Sequence, residues 1–183
     1  MSSEKTKIKN FIVLRNNLID ELDNKKINKE EFIQKNLKIL DNSGIKPFAS
    51  IEDYNMGIFN YQYYNLMAKY YNMLSNKAKL SKNDKKYKMY KNMSRNYYNE
   101  KDKSIFSILE IIQFLNVEAY FIKTESKNLN SRLFEIWVKD YEKTIFHSMN
   151  DRLLEMLREN NVFIEEIRES LIKDYINELY WTL

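Results

Sequence analysis

Glycine and proline are almost absent from this chain, since its 183 residues contain two Gly, Gly44 and Gly57, and one Pro, Pro47. These residue types form many tight turns and end many helices, so their scarcity predicts long elements joined by few connections. Hydrophobic residues make up 44% of the chain, enough to form the core of one domain of this length. We expect a single domain over residues 1–183.

The composition also excludes several kinds of site. The chain has no Cys, and His147 is its one His, which excludes disulfide frameworks, Cys-ligated metals and two-His sites within one chain. Two isolated glycines cannot form a glycine-rich phosphate loop. We therefore predict no catalytic, cofactor-binding or metal-binding residues, and a protein without enzymatic activity is favoured over an enzyme.

No apolar segment approaches the ~20 residues that span a bilayer, and the N-terminal region lacks the pattern of a signal peptide. We expect a cytoplasmic protein with no membrane partner.

Apolar residues spaced three and four apart predict helices through most of the chain. An N-terminal helical hairpin, residues 8–41, ends before Gly44 and Pro47, and Asn28 is the expected N-cap of its second helix. Long helices follow over residues 50–101, the first of them opening at Ser50, and C-terminal helices over 150–181. The predicted helices cover residues 8–23, 29–40, 50–80, 82–100, 104–115, 151–160 and 163–181.

Between residues 117 and 147 the helical spacing of apolar residues gives way to an alternation of every second residue, as in Val117, Ala119 and Phe121. Residues that favour β-strands also become frequent. This pattern predicts a three-stranded antiparallel meander. The expected fold class is α+β, mainly helical, with about six to seven helices and this short sheet. The alternative is an all-α fold in which a helix continues from Ser104 to Thr124.

The segment 77–103 is strongly basic, with ten Lys or Arg against Asp84, Glu100 and Asp102, a net charge of +7. Cations beside aromatic rings are typical of proteins that bind RNA or single-stranded DNA. The alternative is a helix whose tyrosines pack inward and whose lysines are solvated. The candidate nucleic-acid residues are Lys82, Lys85, Lys88, Lys91, Arg95, Tyr87 and Tyr90.

The block 57–65 of the predicted central helix combines a glycine with amides and phenols. Gly57 costs a helix ~1 kcal/mol relative to Ala, which indicates close approach by another element or by a ligand. The alternative is a central helix whose hydroxyls reach solvent or bond to neighbours. The candidate pocket residues are Gly57, Asn60, Tyr61, Gln62, Tyr64 and Asn65.

A metal-dependent enzyme is a remote alternative. It would use acids such as Glu118 and Glu135 on neighbouring strands, or the group Glu165, Glu166 and Glu169. His147 could act as a lone general base, but no Ser and acid are spaced to identify a triad.

The predicted C-terminal helix, residues 163–181, is apolar over more than half its circumference. Such a surplus favours an interface with a protein partner or a second copy of the chain. The main functional hypothesis is therefore a non-enzymatic interaction protein, with nucleic-acid binding as the alternative. The candidate interface residues are Ile172, Tyr175, Ile176, Leu179, Tyr180 and Trp181.

Several strings resemble an uncharacterised family of small cytoplasmic proteins from low-G+C anaerobic bacteria. The resemblance covers most of the chain but implies no activity, cofactor or catalytic residue. The strings are Arg15–Asp20, Lys46–Phe48, Gly57–Asn65, Glu118–Ile122 and Asp174–Ile176.

Overall fold

The computed structural model describes residues 2–115 and the backbone of three further segments, 119–124, 132–138 and 143–149. By its contacts the chain divides into two compact units, residues 1–108 and 109–183. A single domain over the whole chain stays a prediction.

Four helices make up the first part of the chain: α1 (Ser2–Asp23), α2 (Lys29–Ser43), α3 (Tyr54–Leu80) and α4 (Asp84–Leu115). No strand lies among residues 2–115. The fold class of residues 2–115 is therefore all-α, and the expected α+β class is wrong. The all-α alternative describes this part of the chain, which we call the helical unit. The physical reason is that these helices bury their apolar stripes against one another.

Side-chain caps fix where α2 and α3 begin. The Asn28 side chain accepts hydrogen bonds from the backbone N–H groups of Glu30 and Glu31, and the Glu31 carboxylate accepts one from the Asn28 N–H at 2.8 Å. This reciprocal pair is a capping box. Helix α3 begins after Asp53, whose carboxylate accepts a hydrogen bond from the Met56 N–H at 2.9 Å. The N-cap is therefore Asp53, and the helix begins later than the predicted start at Ser50.

The predicted break between residues 100 and 104 is wrong, because α4 runs without interruption from Asp84 to Leu115. The Ser104 hydroxyl donates to the Glu100 carbonyl at 2.9 Å, and the Ser107 hydroxyl donates to the Lys103 carbonyl at 3.3 Å. Both serines thus bond to the preceding turn of the same helix instead of capping a new one.

Helices α3 and α4 form an antiparallel hairpin joined by residues 81–83. The Ser94 hydroxyl, buried between them, donates to the Ala68 carbonyl at 3.0 Å. Further from the turn, Gly57 lies against Ile108, and a Cβ atom at Gly57 would be 2.6 Å from Ile108 Cγ1. The lack of a side chain at Gly57 therefore permits this close approach of the two helices.

The core of the helical unit has two regions. One is formed by Leu18, Ile27 and Phe32, where α1 and α2 pack together. In the other, the rings of Phe11 and Phe59 meet edge to face at 5.4 Å between centroids, joining α1 to α3. Fully buried side chains on α1, α3 and α4 complete it: Ile8, Phe11, Tyr54, Phe59, Ile105 and Ile108.

The backbone of the second unit has three strands: β1 (Ala119–Thr124), β2 (Arg132–Val138) and β3 (Lys143–Met149). They pair antiparallel in the order β1-β2-β3, with Ile136 of β2 opposite Phe121 on one side and Ile145 on the other. The helices predicted over 151–160 and 163–181 lie outside the described residues.

Candidate functional site: a cationic groove

The basic residues singled out in the sequence lie along the first half of α4. Lys85, Lys88 and Arg95 are exposed, and within the described part of the chain none of them has an acidic partner within 4.0 Å. Lys82 lies in the turn before α4 and has a positive φ of 55°. Lys91 is half-buried and donates to the Asn72 side-chain oxygen at 3.3 Å, which links α4 to α3.

The tyrosines of the same segment pack against α3. Tyr71 stacks on Tyr97 with centroids 5.5 Å apart and ring planes 5° from parallel, and it also meets Tyr90 at 6.1 Å. Tyr64 contacts Tyr97 at 6.3 Å, and Tyr87 is half-buried. The rings of Tyr90 and Tyr97 therefore help to hold the hairpin together.

Residues of the block 57–65 face different neighbours. Gly57 and Tyr64 meet α4. The buried Asn60 side chain bonds to both backbone groups of Phe48, accepting from its N–H and donating to its carbonyl, each at 2.8 Å. Asn60 thus fastens the connection between α2 and α3 to the central helix.

The remaining pocket candidates are Tyr61, Gln62 and Asn65. Gln62 and Asn65 are half-buried, and the Gln62 carbonyl oxygen has no hydrogen-bond partner among the described residues. Tyr61 is 4% exposed and brings the block into contact with cations from two other helices. A pocket formed by the whole block stays a prediction.

Cations from α1 and α4 interact with Tyr61. The Lys101 ammonium of α4 lies 5.7 Å from the centroid of the Tyr61 ring and 5.2 Å from that of Tyr98. Arg15 of α1 interacts electrostatically with Tyr61, and Lys69, two turns beyond Tyr61 on α3, is repelled by both Arg15 and Lys101. We call Arg15, Lys69 and Lys101 the cationic groove.

Burial and mutual repulsion perturb these cations. Burial lowers the pKa of the Arg15 guanidinium to about 10, and it remains charged at neutral pH. Desolvation by surrounding atoms, followed by repulsion from Arg15, Lys101 and Lys29, lowers the pKa of Lys69, although its side chain reaches solvent. Burial also lowers the pKa of Lys101, against the opposing effect of Asp102.

Asp102 is the carboxylate beside this group, with an oxygen 3.8 Å from the Lys101 ammonium. Burial, and then the negative charge of Asp102, raise the pKa of the Tyr61 hydroxyl, while Arg15 acts in the opposite direction. Tyr61 therefore stays neutral, and Arg15, Lys69 and Lys101 have a positive charge larger than Asp102 can neutralise. A site of this kind can bind an anion.

Local sequence patterns could not identify this groove. Arg15, Lys69 and Lys101 belong to separate helices, and only the packing of α1, α3 and α4 brings them together. Arg15 did give a signal, because it interrupts an apolar stripe between Phe11 and Leu18, and a cation in such a stripe needs an unusual environment.

The other proposed residues lie elsewhere. The interface candidates over 172–181, together with Glu118 and the acids over 165–169, are outside the described residues. Glu135 is opposite Ile122 and Phe146 in the sheet, and His147 is opposite Phe134. In the part of the chain that the structure describes, no group of three or more His, Cys, Asp or Glu is arranged to hold a metal ion. None of the described helices is long and apolar enough to cross a membrane.

The fold and the groove together define a helical protein with an electropositive site shared by three helices. The chain belongs to the family of unknown function DUF6648, which matches residues 1–180. No curated protein and no solved structure matches it. Membership of an uncharacterised family is thereby confirmed over nearly the whole chain, while the bacterial source and the compartment stay predictions.

Proposed function

We propose that this protein binds single-stranded nucleic acid through its phosphates, along a surface formed by the cationic groove and the exposed row Lys85, Lys88 and Arg95. The observation that supports this most directly is that Arg15 and Lys101, from two other helices, both repel Lys69, with the Asp102 carboxylate beside Lys101. Phosphates neutralise such cations and release counterions, which is the main source of sequence-independent affinity for nucleic acid.

The spacing on α4 suits an extended polyanion. Lys88, Lys91 and Arg95 are three and four residues apart and so lie on one side of the helix. Lys85 and Arg95 are ten positions apart, or ~15 Å along the axis at the rise of an α-helix. A row of cations of this length could contact several successive phosphates.

The groove favours a single strand over a duplex. Arg15 and Lys101 are half-buried on their helices, where a flexible strand can place individual phosphates. The half-buried Tyr98 ring beside Lys101 could contact an unpaired base. Tyr90 and Tyr97 are engaged with α3, so we assign affinity mainly to the phosphates and expect little sequence preference.

The proposal is tested by the fluorescence anisotropy of a fluorescein-labelled 12-nucleotide uridine RNA, measured from 50 to 300 mM NaCl. We expect the triple variant Lys85→Glu, Lys88→Glu, Arg95→Glu to bind at least ~10-fold more weakly. Its plot of log affinity against log salt should flatten by about 2, since each phosphate contact to a single strand contributes ~0.7 to the slope.

A matched control is Lys25→Glu, Lys26→Glu, Lys38→Glu, which changes the net charge equally at exposed positions of α2 and the turn before it. It should retain nearly all binding. Equal loss in both triple variants would show that net charge alone attracts the RNA and would contradict the proposed surface. A 12-base-pair duplex that binds as tightly as the single strand would contradict the choice of a single strand.

A second candidate function is binding to a protein partner or to a second copy of the chain, without enzymatic activity. The supporting observation is that Val13 and Leu14, adjacent on α1, are 50% and 49% exposed in the described structure. Adjacent exposed aliphatic side chains are typical of protein contacts when they belong to a larger apolar patch. The interface proposed over 172–181 would add to this surface.

Light scattering coupled to size exclusion tests self-association, and Val13→Ser, Leu14→Ser is the relevant variant. A dimer that this variant converts to a monomer would support the second function. A wild-type chain that is monomeric at 100 μM would contradict self-association and leave a different protein as the required partner.

A further inference from the structure

An open cleft of about 570 Å³ lies between α2 and the second half of α3, beside the end of α1. This volume falls within the range of pockets that hold small organic ligands. Its walls are mainly aliphatic and aromatic, formed by Leu22 of α1, Phe32 and Ile33 of α2, and Met73 and Leu80 of α3.

Along α3 the cleft begins at Lys69 and ends at Leu80, with both polar and apolar side chains between them. Lys69 and Asn72 line one end, and Met73 and Leu80 continue along α3. Residues 69 and 80 are 11 positions apart, or ~16 Å along the helix axis. The cleft is therefore elongated, with a cation near one end and an exposed aliphatic side chain at the other.

Two cations are available at the rim. Lys77 and Glu30 form an ion pair with each other, so neither charge is left for a ligand. Lys29 and Lys69 also line the cleft and have no acidic partner within 4.0 Å among the described residues. Lys29 and Lys69 also repel each other, and an anion placed near both would relieve that repulsion.

We propose that this cleft binds the anion of a free long-chain fatty acid, with its carboxylate at Lys69 and Lys29 and its hydrocarbon chain along Phe32, Ile33 and Met73 towards Leu80. An unbranched chain matches the elongated cleft, and the transfer of each of its CH₂ groups from water to an apolar wall is favourable. Lys69 and Lys29 both line the cleft, so an anionic head group complements its charge. This proposal rests on the cleft; it shares Lys69 with the cationic groove but uses none of the other groove residues.

The experiment uses the full chain and the fluorescent fatty acid 11-(dansylamino)undecanoate, whose emission rises in an apolar site. We expect the probe to bind in the micromolar range and dissolved palmitate to displace it. Hexadecanol, which has the same chain length but no charge, should displace it at least ~10-fold less effectively.

Two variants test the two ends of the cleft. Lys69→Gln should weaken binding of the probe about 10-fold, and Leu80→Asp should weaken it at least as much. Leu80 is 85% exposed, so its replacement should leave the fold intact, as circular dichroism would verify. The matched controls are Lys38→Gln and Leu14→Asp, which make the same kinds of change at exposed positions outside the cleft.

Three outcomes would overturn the proposal. The first is failure of palmitate to displace the probe. The second is equal weakening by the cleft variants and their controls, which would indicate nonspecific adsorption. The third is tighter binding to anionic phospholipid vesicles than to dissolved palmitate, since a lipid surface would then be the ligand.

Discussion

Gly57 is a position at which helix packing leaves no room for a Cβ atom. The atom that a new Cβ would meet is Ile108 Cγ1, which belongs to a fully buried residue and lies near its backbone. Such an atom cannot move away without disturbing the core. The intrinsic helix preference of Ala over Gly, ~1 kcal/mol, acts in the opposite direction.

We predict that Gly57→Ala lowers the free energy of unfolding by about 1–3 kcal/mol, because the strain of overpacking exceeds the gain in helix propensity. Urea unfolding followed by circular dichroism measures the change. In a double-mutant cycle with Ile108→Ala, the double variant should lose less than the sum of the single losses. Additive losses would show that Gly57 and Ile108 do not interact.

Tyr61 and Arg15 make the stability of the protein depend on pH in the alkaline range. Burial raises the pKa of Tyr61 above its ordinary value of 10.0. In the unfolded chain this hydroxyl ionises from about pH 10 upwards, while in the folded chain it stays protonated. The contribution of Tyr61 to stability is therefore complete below pH 10 and is lost as the pH rises above it.

The effect of Arg15 on stability has the opposite sign over the same pH range. Because its pKa is lowered from 12.5 to about 10, the cost of burying its charge is present below pH 10 and is relieved between pH 10 and 12.5. The two effects partly cancel in the wild-type protein. A comparison of variants is thus more informative than the wild-type curve alone.

We predict that Tyr61→Phe makes stability fall less steeply above pH 10, by up to about 1.4 kcal/mol for each pH unit. Urea unfolding at pH 9.0, 10.0 and 10.5 measures the slope, and Tyr70→Phe is the control because Tyr70 lies on α3 outside the groove. Identical slopes for the wild type and Tyr61→Phe would contradict the assigned environment of this hydroxyl.

At the scale of the element, α2 combines a side-chain cap at its start with a glycine at its end. Asn28 closes the capping box, and Gly44, with a φ of 63°, is the left-handed residue after the last turn. Gly favours this conformation because it has no Cβ atom. The bounds of α2 are therefore set by local chemistry.

We predict that Asn28→Ala lowers the free energy of unfolding by about 0.5–2 kcal/mol, since it leaves the N–H groups of Glu30 and Glu31 without their side-chain acceptor. Thermal unfolding followed by circular dichroism is the measurement. Asn42→Ala, at an exposed position within the same helix, is the control and should change stability by less than about 0.5 kcal/mol. Equal effects would contradict the role of the cap.

At the scale of the whole molecule, the net charge of +4 is modest, but positive charge is concentrated in the cationic groove. Partly buried cations repel one another through a medium that dissolved salt screens poorly. A multivalent anion that enters the cationic groove should therefore stabilise the native state more than salt of equal ionic strength does.

We predict that 1 mM inorganic tripolyphosphate raises the melting temperature by about 5 °C or more. A ligand at 100 times its dissociation constant adds about 2.7 kcal/mol, and each kcal/mol corresponds to about 2–4 °C for a chain of this size. Lys69→Gln should reduce the rise by at least half, and Lys38→Gln should leave it unchanged. A rise matched by NaCl of equal ionic strength would show that the groove does not select the anion.

The starts and ends of helices could be predicted from the sequence at the positions where neighbouring residues decide the structure. The Asn28 cap, the end of α2 at Gly44 and the break near Ser81 depend on interactions within a few residues, and the structure confirms them. The interruption at Ser104 was wrong because a serine hydroxyl can cap a helix or bond to its preceding turn, and only the surrounding packing decides between these states.

The sequence by itself determined that the chain forms long helices with few turns, because Gly and Pro are scarce and apolar residues recur at helical spacing. It also identified the basic character of α4 and the unusual position of Gly57. Only the tertiary structure decided that Ile108 fills the space beside Gly57, and that Arg15, Lys69 and Lys101 share one groove. These residues are far apart along the chain, and their proximity follows from how whole helices pack.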